Sequence, residues 1–236
     1  MGMQEKIIVA NWKSNKTKSE AEDWLTNFVR QSKEQAGLLD HLKIVIAPSA
    51  LYLELAIQLV ADVANISIAA QDASQYPLGS YTGAIAARQL SGLGVTYAIV
   101  GHSERRKYFG ETHQMVAQKI EQLLDAKIIP IVCMDEQEIQ QQADHISQDQ
   151  AKRCIYAYEP VSAIGTGIGQ DIPQVTTSIR LAKQTFGDVP VLYGGSVDVR
   201  NIHEYLLVSD GALVGGSSLD VNGFFQLLSS INSKNV

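Results

Sequence analysis

The chain has 236 residues, 45% of them hydrophobic and 19% charged, and its formal net charge is −6. These values fit one soluble globular domain with a large core, and the acidic balance gives no indication of nucleic-acid binding. No apolar run is long enough to cross a bilayer and the N-terminus lacks a cleavable signal pattern, so the sequence predicts a cytoplasmic protein without membrane contact.

The two cysteines, Cys133 and Cys154, lie inside apolar runs that resemble strands. Neither has a second cysteine or a histidine at the spacing of a metal site. We therefore expect buried free thiols, with no disulfide and no metal, as in a protein of a reducing compartment.

Short apolar runs rich in β-branched residues alternate along the chain with stretches whose apolar residues have helical spacing. In the first half the predicted strands and helices are 6–11 with a helix opening at Ser19, 43–47 with 51–63, 66–70 with 84–90, and 97–100 with 112–124. In the second half they are 128–133 with a polar helix through 139–146, 154–158 with 175–186, 189–193 with 199–207, and 211–214 with 221–231.

These strand–helix pairs, about eight in number, favour an α/β fold of the closed (β/α)8 barrel type over an open sheet, which usually has fewer strands. The strands are continuous apolar runs, as expected where both faces of a sheet are covered. No linker or charge block interrupts the alternation, so the sequence predicts one domain over residues 1–236. In such a barrel the loops that follow the strands meet at one end and carry the active site.

Polar groups follow three of the predicted strands. Asn11 and Lys13 follow the first strand and would point the same way in an extended backbone. The segment 101–106 falls in the connection after the fourth strand and is either catalytic or a solvated charge cluster. Glu159 ends the sixth strand before Pro160 and a glycine-rich segment, where a carboxylate is either a solvated loop residue or a general base with a raised pKa.

Paired glycines follow the last two strands, at 194–195 and 215–216. They are compatible with simple turns, but barrels often bind a phosphate at this place through main-chain N–H groups. The segment 165–169 is a weak lookalike of a dinucleotide fingerprint. Its third glycine comes one residue early and no aspartate follows on the next strand, so we expect no dinucleotide cofactor.

Five motifs, in order over nearly the whole chain, closely resemble the triosephosphate isomerase family. They are Ala10-Asn11-Trp12-Lys13, Gly101-His102-Ser103-Glu104-Arg105-Arg106, Ala157-Tyr158-Glu159-Pro160 with Ile164-Gly165-Thr166-Gly167, Tyr193-Gly194-Gly195-Ser196, and Val214-Gly215-Gly216.

The resemblance implies interconversion of dihydroxyacetone phosphate and glyceraldehyde 3-phosphate through an enediolate, a step of glycolysis and gluconeogenesis, with no cofactor and no metal. As is established for this family, a glutamate acts as the base and a neutral histidine as the electrophile, and the matching residues here are Glu159 and His102. Lys13 and Asn11 match the partners of the developing negative charge. The other matches are the supporting residues Glu104 and Tyr193 and the main-chain phosphate donors Gly165, Ser196, Gly215 and Gly216.

Two departures from the family concern a lid over residues 160–170 that the resemblance implies. Ser162 stands where the family usually has tryptophan, and Asp135 stands where glycine is expected, although Glu136 is retained. We expect a lid that still closes, with a shifted balance between open and closed forms. The connection from 133 to 154 is also short for the family, which predicts a trimmed helix.

A third departure concerns assembly. The segment 71–83 resembles a loop that reaches into a neighbouring subunit, where Thr82 would contact Asn11 of the partner subunit. The acidic residue that follows this Thr-Gly in the family is Ala84 here. We expect a homodimer that lacks one inter-subunit ion pair and leaves Arg105 unpaired.

Two other functions are compatible with the sequence. One is a catalytically impaired barrel that binds a sugar phosphate or acts as a scaffold. The other is a different phosphate-binding barrel isomerase with a larger substrate, which would need the glycine pairs but not the set of Asn11, Lys13, His102 and Glu159.

Overall fold

A closed ring of eight parallel strands organises the part of the chain that the structure describes. The structure is a computed structural model, and it describes residues 5–35, 37–160 and 169–232. Each strand pairs with its neighbours in sequence, and the last pairs with the first, which confirms the predicted (β/α)8 barrel. The strands are β1 Lys6–Asn11, β2 Leu42–Ala47, β3 Ile66–Ala70, β4 Tyr97–Val100, β5 Ile129–Met134, β6 Ile155–Tyr158, β7 Val191–Tyr193 and β8 Gly211–Val214.

Helices connect these strands, and the local sequence explains where two of them begin. The Thr17 side chain accepts the Glu20 N–H, and Glu20 accepts the Thr17 N–H at 2.6 Å, which caps the first helix. Thr112 accepts the Met115 N–H at the start of the fifth. The α-helices are α1 Lys18–Glu34, α2 Leu53–Val60, α3 Ala87–Leu93, α4 Ser103–Phe109, α5 His113–Asp125, α6 Glu138–Ala143, α7 Gln148–Ala151, α8 Ile172–Phe186, α9 Ile202–Leu206 and α10 Val221–Asn232.

Both faces of the strands are buried, because successive side chains alternate between the inside of the ring and the surrounding helices. On β1, Ile8 and Ala10 belong to a cluster that includes Trp24 and Phe28 of α1, whose rings stack with centroids 4.9 Å apart. Val9 belongs to a separate inner cluster, which explains why the strands are continuous apolar runs. The other buried members of the inner cluster are Val45, Ala47, Ala69, Tyr97, Ile99, Ile131, Cys133, Ile155, Ala157, Leu192 and Leu213.

The contact between β1 and β8 closes the ring and depends on a glycine. Gly211 is paired with Ile7 across the two strands. A Cβ atom at Gly211 would lie 1.9 Å from the main-chain oxygen of Ile7, far inside any contact distance. Glycine therefore allows the last strand to approach the first.

Two helical segments differ from the predicted pattern. Helix α4 occupies a region that the pattern predicts as a connection; none of its residues is buried, so it has no apolar period for a pattern to detect. It begins where Nδ1 of His102 accepts the Glu104 N–H and ends at Gly110, whose φ is 65°. The polar helix predicted through 139–146 is the short helix α6, which ends at Ala143, and a separate short helix, α7, follows at Gln148–Ala151. The trimming of a helix relative to the family stays a prediction.

Cys133 and Cys154 are buried and free, as predicted. Burial raises the pKa of Cys154 to about 12, so its thiol stays protonated. Among the described residues, no helix has both the length and the apolar character needed to cross a membrane.

Candidate active site

The carboxyl ends of five strands meet around a cavity of about 270 Å³. The side chains expected to be catalytic line this cavity together; they are Asn11, Lys13, His102 and Glu159. Three of the expected phosphate donors line it too, namely Ser196, Gly215 and Gly216. Gly165, Ser162 and most of the expected lid lie outside the described residues.

Glu159 and His102 contact each other inside the cavity. Nε2 of His102 lies 3.1 Å from Oε1 of Glu159, and the two side chains are 7% and 3% exposed. The other carboxylate oxygen accepts the main-chain N–H of Ser103 at 3.1 Å. Because Nδ1 of His102 accepts the Glu104 N–H at 3.2 Å, the neutral imidazole carries its proton on Nε2 and donates it to Glu159.

Burial and mutual attraction act in opposite directions on the pKa values of this pair. Burial favours the protonated form of Glu159, but His102, the Ser103 N–H and Lys13 together lower the pKa of Glu159 below its ordinary value of 4.5. Burial likewise disfavours protonated His102, but Glu159 and Glu104 raise the pKa of the imidazole above 6.5. Of the two interpretations of Glu159, a solvated loop residue or a general base with a raised pKa, the free protein shows neither. The side chain is buried, and its pKa is lowered because the carboxylate lies against hydrogen-bond donors rather than in an apolar pocket.

Lys13 enters the cavity through an unusual backbone conformation. Its φ is 53°, in the left-handed region that few non-glycine residues adopt. The prediction of an extended backbone at Lys13 is therefore wrong. The chain turns here, and Oδ1 of Asn11 accepts the Lys13 N–H at 3.0 Å. Nζ of Lys13 lies 2.7 Å from Oε1 of Glu104, so Glu104 is in position to support the ammonium group.

The glycine pair after β7 makes room for Glu159. Gly194 donates its N–H to the main-chain oxygen of Tyr158 at 2.8 Å. A Cβ atom at Gly194 would lie 2.8 Å from Cγ of Glu159 and 3.3 Å from the same main-chain oxygen. Gly194 therefore serves the carboxylate rather than a phosphate, which the spacing of the glycines does not reveal.

The glycine pair after β8 presents main-chain donors to the cavity. A short 3-10 helix, Gly216–Ser218, begins here, and the Gly215 oxygen accepts the Ser218 N–H at 2.9 Å. The N–H groups of Gly215 and Gly216 have no hydrogen-bond acceptor among the described residues. A Cβ atom at Gly215 would lie 3.4 Å from Cε of Lys13. Two N–H donors beside an ammonium group suit an anionic ligand.

Three tyrosines hold Gln170 just before α8. The Tyr193 hydroxyl accepts the Gln170 N–H at 3.0 Å, and the Tyr205 hydroxyl donates to the Gln170 main-chain oxygen at 2.8 Å. Tyr158 donates to Oε1 of Gln170 at 2.8 Å. The rings of Tyr193 and Tyr205 stack with centroids 3.9 Å apart, so Tyr193 supports the main chain beside the cavity.

Arg105 has two ionic partners within its own chain. Its guanidinium lies 2.8 Å from Asp72 and 2.7 Å from Glu111. Lys119 lies 2.7 Å from each of the same two carboxylates. The expectation of an unpaired Arg105 is therefore wrong, because Asp72 supplies a carboxylate from the segment that follows β3.

Sequence reasoning missed other residues near the cavity. Asp198 and Arg200 line it and form an ion pair, but they belong to none of the motifs. Gln71 follows β3 directly, so the rule that selects polar residues after strands was sufficient to find it. Glu111 follows α4, away from any strand end, and carries no such signal.

Comparison with known proteins shows that the chain is similar to members of one protein family. The family model described as Triosephosphate isomerase matches residues 6–231. A protein of that name from Mycoplasma mobile is 37% identical over 243 residues, covering 96% of this chain and 100% of the relative. One from Mesomycoplasma hyopneumoniae (strain 7448) is 39% identical over 241 residues, covering 94% and 98%. One from Thermus thermophilus is 36% identical over 254 residues, covering 96% and 98%.

Proposed function

The chain belongs to the triosephosphate isomerase family, so it interconverts dihydroxyacetone phosphate and D-glyceraldehyde 3-phosphate, and we propose how its cavity carries out this reaction. The observation that carries the assignment is the presence of one carboxylate base and three polar groups around a single small cavity. Proton abstraction beside a carbonyl needs a base on one side and preorganised donors around the oxygens on the other.

Glu159 removes the carbon-bound proton. Its lowered pKa keeps the carboxylate ionised at neutral pH. In the free protein its oxygens are held by Nε2 of His102 and by the Ser103 N–H. To reach the substrate carbon the carboxylate must give up these contacts, and their loss raises its pKa and makes it a stronger base.

His102 acts on the substrate oxygens as a neutral hydrogen-bond donor. Its Nδ1 already accepts the Glu104 N–H, so the proton on Nε2 is the one available to the cavity. When substrate displaces Glu159 from Nε2, the main cause of the raised His102 pKa is removed, and burial then favours the neutral ring. A neutral N–H donor stabilises the developing enediolate through a fixed dipole.

Lys13 and Asn11 stabilise the negative charge that develops on the substrate. Lys13 supplies local positive charge in a chain whose net charge is −6, and Glu104 fixes its ammonium group at 2.7 Å. The phosphate is bound by main-chain donors of Ser196, Gly215 and Gly216. Gly165, which the resemblance adds to this set, remains a prediction.

The alternatives are less well supported. A catalytically silent barrel gives no reason for the base and its three polar partners to line one cavity. An isomerase for a larger sugar phosphate would need the glycine pairs but not the set of Asn11, Lys13, His102 and Glu159 that lines this cavity. The family membership of the chain also favours the triose phosphate reaction.

A coupled assay of glyceraldehyde 3-phosphate isomerisation tests the proposal. Glu159→Gln keeps the shape of the side chain and removes the base, so kcat should fall by roughly 10²–10⁴-fold. Glu22→Gln, at an exposed position of α1, is the matched control and should retain full activity. Equal rates in the unmodified chain and Glu159→Gln would contradict the assignment of the base.

The protein is further proposed to be a homodimer, and a group of exposed apolar side chains supports this. They follow three neighbouring strands, β2, β3 and β4, and so lie on connections at the same end of the barrel. Such a concentration of exposed apolar area is typical of an interaction surface. The contact of Thr82 with Asn11 of the partner subunit remains a prediction. The cytoplasmic location also remains a prediction, and the two free thiols support it. The exposed side chains are Leu51, Tyr76, Leu78, Tyr81, Ile85, Tyr108 and Phe109.

A further inference from the structure

The dipeptide Gln71-Asp72 follows β3 and makes polar contacts toward two different parts of the site. We propose that these two residues are positioning residues that set the placement of Lys13 relative to His102. Neither is among the described residues that line the cavity, so any effect on the reaction passes through other groups. The inference rests on the proposed function, because it concerns the same cavity.

Gln71 holds the main chain that carries Lys13. Its Nε2 donates to the Lys13 oxygen at 2.8 Å and to the Ala47 oxygen at 2.9 Å, which uses both hydrogens of the amide. The left-handed φ of Lys13, 53°, is unfavourable for a residue with a side chain and persists only where the surroundings enforce it. The amide of Gln71 supplies that constraint by tying the Lys13 peptide to the end of β2.

Asp72 contacts charged groups on the side of β4. It lies 2.7 Å from Lys119 and 2.8 Å from Arg105, and the same two cations contact Glu111. Lys119 and Glu111 are only 4% and 5% exposed. Buried charges are tolerated when they are paired and hydrogen-bonded, and the two carboxylates balance the two cations here.

Glu111 connects this cluster to His102. Its Oε2 contacts Arg105 and Lys119, while its Oε1 accepts the N–H of Gly101 at 2.8 Å. Gly101 has a φ of 71°, and a Cβ there would lie 3.0 Å from the Cys133 oxygen, so the turn has little freedom. The next residue is His102. The Glu111 carboxylate therefore fixes the Val100–Gly101 peptide, which immediately precedes the residue that carries the imidazole.

The charge of Asp72 determines how Glu111 is held. Without it, two cations share the single carboxylate of Glu111, and the balance that keeps Oε1 on the Gly101 N–H is lost. A small displacement of a catalytic group affects the rate of the chemical step more than the binding of substrate. Removal of the Gln71 amide should likewise displace Lys13 and slow the chemical step.

The test compares the full-length chain with Asp72→Asn and Gln71→Met, which keep the side-chain size, and with the exposed control Asp62→Asn. Steady-state kinetics with glyceraldehyde 3-phosphate should show kcat lowered by about tenfold in each of the first two variants, with KM changed less than about twofold. The amide proton of Gly101 should move upfield in Asp72→Asn and stay in place in Gln71→Met, because only the first variant weakens its bond to Glu111. Asp62→Asn should match the unmodified chain.

The outcomes are distinct. Folded variants that keep kcat overturn the inference, even if their melting temperatures fall, because the dipeptide would then serve only the fold. Loss of activity through KM alone overturns it too, since uniform weakening of substrate binding is not a positioning effect. An unmodified chain without isomerase activity would instead contradict the proposed function.

Discussion

Oε1 of Glu159 lies 3.1 Å from Nε2 of His102, and both side chains are almost completely buried. In the free protein the proposed base and electrophile therefore bind each other. Substrate has to separate them, so part of the binding energy of the triose phosphate is used to break this contact. The same event shifts both pKa values toward those that the reaction needs.

The Glu159–His102 contact should give the protein a pH-dependent stability. The pKa of Glu159 is lowered from 4.5, so its contribution is present above 4.5 and is lost as the pH falls through the folded value. The pKa of His102 is raised from 6.5, so its contribution is full below 6.5 and is lost as the pH rises through the folded value. In urea unfolding, the advantage of the unmodified chain over His102→Gln should be largest between pH 4.5 and 6.5. A difference that does not vary with pH would rule out this account.

Glu104→Gln should lower the catalytic efficiency but change the free energy of unfolding only slightly. The side chains of Lys13 and Glu104 are 29% and 40% exposed, so solvent screening limits the contribution of the pair to stability to about 1 kcal/mol or less. Because Glu104 fixes the ammonium group, kcat/KM should nevertheless fall by about tenfold. Glu34→Gln breaks the exposed pair with Arg30 on α1 and is the matched control, with full activity expected. Unchanged kinetics in Glu104→Gln would show that Lys13 needs no support.

Gly194→Ala should displace the Glu159 carboxylate and lower the catalytic rate. The added Cβ would lie 2.8 Å from Cγ of Glu159, so the carboxylate has to move. We expect kcat to fall by at least about tenfold in steady-state assays. Gly92→Ala in α3 is the control, since nothing lies within 4 Å of a Cβ there. It should keep its activity and gain about 0.5–1 kcal/mol in stability. Normal kcat in Gly194→Ala would mean that Glu159 has free space beside it.

Leu78→Asp should dissociate the proposed dimer. Leu78 is 53% exposed within the apolar group that follows β2, β3 and β4, and a buried unpaired carboxylate at an interface is costly. Sedimentation at micromolar concentration should give twice the chain mass of 25.7 kDa for the unmodified protein and the single mass for the variant. Leu207→Asp changes a residue on the connection after α9 that is 57% exposed and should leave the dimer intact. A monomeric unmodified chain would refute the assembly.

Much of this architecture follows from short-range pattern. β1, β3, β4 and β8 have the predicted ends, because each is an apolar run bounded by polar or glycine residues. Asn11, His102 and Glu159 are predicted as cavity residues because each lies at or just after the end of a strand, whereas Asp198 and Arg200, which also line the cavity, carry no such signal. Helix α4 was missed because a short, exposed helix leaves no apolar period in the sequence.

Other features depend on atoms that are distant along the chain. The φ of Lys13 is stabilised by Gln71, and the role of Gly194 is set by the position of Glu159. Arg105 is paired by Asp72, which no local motif connects to it. A local sequence pattern shows which residues these are but not which distant residues they contact. Those contacts are visible only in the three-dimensional structure.

The hydrogen-bonded seam between β1 and β8 makes the arrangement of strands cyclic, although the chain that forms it is linear. A ring has no edge strand, and it has no first or last member either. The order around the barrel axis, rather than the position of the termini, therefore defines the cavity. A circularly permuted chain that opened between α2 and β3 would bring the same side chains to the same end of the barrel.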